Sequence, residues 1–131
     1  MKLNRLLSVL ALVATLAAGI TFAADANGSP HTTSKFQGTK ANTGMAVHTV
    51  ENGKSILRVT PDFKVPDTPA PTWRVVDSKG NVYTLDAFKI KGGEKRQVIV
   101  PAYVQDIVKV EVYCAWAQII LGEASFSMAV K

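Results

Sequence analysis

The chain has 131 residues, 47% of them hydrophobic, and sets 15 Lys and Arg against 10 Asp and Glu for a formal net charge of +5. That length holds one domain with a modest core and leaves no room for two. The basic residues are scattered, the tightest group being Lys89, Lys91, Lys95 and Arg96 around Gly92-Gly93, so the dense stripe and motif of a nucleic-acid binder are missing.

At the N-terminus Lys2 and Arg5 precede an apolar stretch, Leu6 to Ile20, broken only by Ser8 and Thr15; the small residues Ala23, Ala24 and Ala26 follow. Positive start, apolar middle and small-residue end are the three parts of a secretory signal peptide. The apolar stretch is shorter than the ~20 residues a helix needs to cross a bilayer. Residues 1–23 are therefore expected to be removed on export, leaving a periplasmic or secreted chain with no transmembrane segment. Thr21-Phe22-Ala23 and Ala24-Asp25-Ala26 both suit the peptidase, so the mature chain is expected to begin at Ala24 or Asn27. A cut after Ala23 leaves 108 residues with 13 basic against 10 acidic side chains, a net charge of +3.

Residues 24–35 are polar, small and without periodicity, and are expected to form a disordered leader. His31 falls in it and His48 in the first strand pattern; two isolated histidines with no Cys, Asp or Glu at ligand spacing predict no metal site. From Phe36 to Lys131 strand signals dominate. Met45 to Val50 and Ser55 to Thr60 flank Asn52-Gly53, whose tolerance of positive φ suits a tight hairpin turn. Pro61, Pro66, Pro69 and Pro71 mark a loop, because proline cannot donate to a ladder. Trp73 to Asp77 and Val82 to Leu85 flank a second hairpin turn at Ser78 to Asn81. Phe88 to Ile90, Gln97 to Val100, Ile107 to Trp116 and Gln118 to Val130 follow. About eight short strands at regular spacing predict an all-β, antiparallel, jelly-roll-like sandwich over residues 36–131. Trp73, Phe63, Phe88 and Phe126 are its natural core aromatics.

Enzymatic constellations are mostly absent: there is no Gly-rich phosphate loop, no Gly-x-Ser-x-Gly elbow and no Cys-x-x-Cys pair. The single cysteine, Cys114, cannot form an internal disulfide. In its strand Val108, Val110, Val112, Cys114 and Trp116 share one face, and Lys109, Glu111 and Tyr113 the other. Side chains alternate along a strand, so the first set is expected to face the core and the second to face water. On that pattern Cys114 is a small buried hydrophobe, although Ala115, Ala117 and Gly122 leave space around it.

The segment Val108 to Phe126 resembles the end of DM13 domains, in which a strand closes on an aromatic-Cys pair, followed by an aromatic two residues on and a hydrophobic-Gly-x-Ala run. Here these are Tyr113-Cys114, Trp116 and Leu121-Gly122-Glu123-Ala124. Phe36-Gln37-Gly38 with Gly44 resembles the family's opening, and Asp62-Phe63 its Asp-Phe step. Pro71 to Val75 is similar to its Gly-Pro-Asp strand, and Val98 to Pro101 to its strand ending in proline. This chain has Ala70-Pro71-Thr72 where the family has Gly-Pro-Asp, and Trp116 where Phe is commoner. The resemblance implies an extracytoplasmic β-sandwich proposed to act in electron transfer, with Cys114 as the redox centre and a redox partner protein. It assigns no cofactor. Two readings stand open: a redox module working through Cys114, and a non-catalytic binding or structural module in which Cys114 fills the core. On either reading a carrier or binder is expected rather than a substrate-turning enzyme.

Overall fold

The computed structural model describes residues 29–131, so the expected signal peptide and both cleavage sites lie outside the described residues. Ten strands follow one another: β1 (His31–Thr32), β2 (Ala46–Glu51), β3 (Lys54–Val59), β4 (Pro71–Val76), β5 (Val82–Ala87), β6 (Lys89–Ile90), β7 (Gly93–Glu94), β8 (Gln97–Ile99), β9 (Ile107–Cys114) and β10 (Ile119–Val130). They form an antiparallel β-sandwich of two four-stranded sheets, ordered β1-β2-β3-β8 and β10-β9-β4-β5, with β6 and β7 a separate small hairpin. No helix among the described residues is long and apolar enough to cross a membrane.

Local chemistry explains most boundaries. Asn52 and Gly53 take φ of 51° and 74°, the pair of positive values a type I′ turn requires, and close β2 onto β3 in register from Glu51↔Lys54 to Ala46↔Val59. In the β4–β5 connection the buried Asp77 carboxylate accepts hydrogen bonds from the Lys79 and Asn81 amides, the Asn81 side chain and the Tyr83 hydroxyl. Desolvation pushes its pKa up, but those bonds outweigh it and hold the carboxyl below its usual range.

The inner faces of the sheets meet in one core that includes Leu57, Val98, Trp73, Val75, Val110 and Val112. The four aromatics expected inside are all buried. Three aromatic pairs run across it, Phe36 tilted against Phe63, Phe63 stacked on Phe88 and Phe88 stacked on Trp73, with ring centroids 5.0, 5.5 and 4.4 Å apart. Each such pair contributes about 0.5–1.5 kcal/mol beyond the area it buries. Trp73 Nε1 donates to the Lys95 carbonyl at 2.9 Å, which gives the indole the partner it needs inside.

Four expectations are corrected. The leader is not disordered to Lys35: β1 pairs with β2, Thr33 is buried, and the Ser34 amide donates to the Ser125 carbonyl at 2.9 Å. Backbone pairing to a neighbouring edge, which composition does not reveal, orders it. Pro71 is not in the loop but opens β4 opposite Cys114, a first-residue position where no ladder donor is needed. The strand expected to reach Trp116 ends at Cys114, and Trp116 lies in the following turn, 76% exposed rather than inward. Glu111 does sit across from Val110 and Val112 on the alternating face, yet it is buried rather than solvated. Its cross-strand partner Arg74 covers it, with Nε 2.9 Å from Oε1. That contact is an ion pair off the line of a hydrogen bond, leaving both buried atoms without a hydrogen-bond partner. The guanidinium also lies 4.1 Å over the Tyr113 ring.

Candidate functional site

Cys114 ends β9 in the middle of its sheet, between Pro71 of β4 and Ile119 of β10. Its side chain is inward, as the alternation requires, and the residue is 1% exposed. The four residues Ala115 to Gln118 then turn the chain back. Their turn closes by a bond from the Gln118 amide to the Cys114 carbonyl at 2.7 Å, and Gln118 takes a φ of 57° to make it. Ala115, Trp116 and Ala117 are all exposed, so the turn that follows the buried thiol is itself open to water.

That turn aims a donor at the sulfur. The Ala117 amide points at Sγ from 3.4 Å. It is the main reason the thiol sits below its ordinary range, against desolvation, which raises it. The amides of Ala70 and Trp116 and the Thr68 hydroxyl add to the lowering. Thr68 Oγ1 is buried without a partner at hydrogen-bond geometry, so it faces the sulfur more loosely than Ala117 does. Amide dipoles, with the Thr68 hydroxyl, stabilise the thiolate here; no cation contributes to the shift.

The structure thus brings Thr68 and Ala70 from the proline-marked loop to Cys114, a convergence that no motif in the chain announces. The Ala115 amide donates to the Ala70 carbonyl at 2.9 Å and pins that loop to the turn. The two glycine-containing stretches of the resemblance also meet beside this end of the sheet. Gln37 and Glu123 pair, exchanging two 2.9 Å backbone bonds, and the Gly38 and Gly122 backbones touch with no space for a Cβ on either. Phe63, of the Asp-Phe step, packs against Gly44.

The two histidines, isolated in sequence, are not isolated in space. His31 and His48 are cross-strand partners with ring centroids 5.8 Å apart. His48 is fully buried and holds Ser55 Oγ at 2.7 Å through Nε2. Burial, and then the neighbouring His31, push its pKa down. No family model, no curated protein and no solved structure matches this chain.

Proposed function

We propose that this chain is an exported, DM13-like module whose redox centre is the Cys114 thiol, working with a partner protein outside the cytoplasm. The observation that carries the reading is the Ala117 amide directed at Sγ from 3.4 Å. A cysteine that serves only to fill a core needs no donor on its sulfur, whereas a thiolate does. Exchange with a partner disulfide would run by attack of the Cys114 thiolate on one partner sulfur. A new S–S bond forms, and the other partner sulfur leaves as a thiolate. The turn Ala115 to Gln118 is the part that must yield for the two sulfurs to meet.

The second reading, a binding or structural module with Cys114 as core filler, draws on the 1% exposure of the residue. The two part company in one experiment, the rate of Cys114 alkylation in the native protein as a function of pH. The redox reading expects slow but measurable modification, rising through an apparent pKa below that of an ordinary thiol. Cys114→Ser then abolishes thiol exchange and leaves the melting temperature nearly unchanged. A native thiol that resists alkylation for as long as the fold survives, with Cys114→Ser chiefly lowering the melting temperature, sinks it in favour of the core filler.

A further inference from the structure

The cleft between β1 and the C-terminal part of β10 is independent of Cys114. After a first register shift at Ile120/Gly122 the β9–β10 ladder is continuous from Gly122↔Val112 to Ser125↔Lys109 and resumes at Val130↔Ile107, so residues 126–129 bulge out of register. Bulges of this kind re-aim side chains. Here the gap between the bulge and β1 is lined by His31, Thr32, Phe126, Met128 and Val130, with no carboxylate among its walls. His31 is exposed, and Met128, at 77% exposure, is the most open of the large apolar side chains among the described residues. Behind them lies His48, 5.8 Å from the His31 ring and 6.3 Å from that of Phe126, centroid to centroid.

The state of the His48 ring is the decisive detail. Its Nδ1 is buried and has no hydrogen-bond partner among the described residues, while Nε2 is bound to Ser55 Oγ at 2.7 Å. We assign the ring proton to Nε2, donating to Ser55, which leaves Nδ1 a bare lone pair. A ring fixed through one nitrogen by an oxygen acceptor, with the other nitrogen free, is the state in which histidine binds metals. Two imidazoles on one ion, each at a metal–nitrogen distance of about 2.0 Å, place their ring centroids roughly 5–6 Å apart. The observed 5.8 Å lies in that range.

We propose that His31, His48 and Met128 form a site for a soft transition-metal cation of the copper(I) class. Two neutral imidazoles and a thioether without any carboxylate suit such an ion, and they do not suit magnesium or calcium, which require oxygen donors. The test uses the full chain carrying Cys114→Ser, which removes the thiol as a competing soft ligand. Copper(I) is titrated into it under reducing conditions against a chromophoric copper(I) chelator. One copper(I) per chain is expected. His31→Ala and Met128→Leu, both at exposed positions, should each weaken binding by at least about tenfold without moving the melting temperature. Parent-like affinity in either variant overturns the site, and so does failure of the Cys114→Ser chain to retain copper(I).

Discussion

A single methyl group added at Gly122 tests how the loop before β2 is joined to the sheet. A Cβ there would overlap the Ala41 carbonyl oxygen and stand 2.7 Å from the Ala41 Cβ and 2.8 Å from its carbonyl carbon. Those neighbours are backbone or a rigid methyl, so a rotamer change cannot relieve the overlap. Overpacking of this kind costs about 1–3 kcal/mol. To make space the loop must also lift from β10, straining the bonds that the Lys40 and Ala41 amides donate to the Leu121 carbonyl at 3.1 and 3.0 Å. Each is worth a net of about 1 kcal/mol. Gly122→Ala is therefore expected to destabilise by about 2–5 kcal/mol, a large part of the roughly 5–15 kcal/mol available to a small domain. Equilibrium urea unfolding measures it as a lower midpoint at unchanged slope, and thermal melting as a drop of about 4–8 °C for each kcal/mol. Gly93→Ala is the control, since a Cβ there meets nothing within 4 Å. It should be neutral or stabilising by less than about 1 kcal/mol. A Gly122→Ala protein within about 0.5 kcal/mol of the parent would refute the close approach and the docking of the loop that depends on it.

Arg74→Ala leaves the Glu111 carboxylate, 5% exposed, with no counter-ion, and should cost about 3 kcal/mol in urea unfolding. The double change Arg74→Met with Glu111→Leu should recover most of that loss, and a double variant as unstable as the single one would show that the ion pair is not the cause. Asp77 has a folded-state pKa below its unfolded value, so its contribution to stability is present above the unfolded pKa and is lost as pH falls through the folded one. The melting temperature of the parent should accordingly fall more steeply on acidification below about pH 4 than that of Asp77→Asn; parallel curves would mean that the Asp77 bonds are not made in solution.

Period-two patterning was enough to place the long strands, the Asn52-Gly53 hairpin and the inward set Val110, Val112 and Cys114, because alternation and positive φ are properties of a few consecutive residues. It was also enough to name the core aromatics, since Trp73 and Phe63, Phe88 and Phe126 have few other places to go. What lies beside each strand is a different matter, decided by the burial of all of them together. Glu111 alternates outward correctly, yet only the pairing of β9 with β4 puts Arg74 over it and closes it off from water. His31 sits in a stretch with no strand periodicity and becomes part of a sheet because β2 offers it an open edge, which is also how it comes to face His48. The amide that lowers the thiol pKa belongs to a residue three positions from Cys114, but its aim depends on the positive φ of Gln118 and on the loop held at Ala70. Local pattern determines which face a side chain takes; contacts between residues far apart in the chain decide what that face meets, and here both the thiol and the histidine pair draw their chemistry from those contacts.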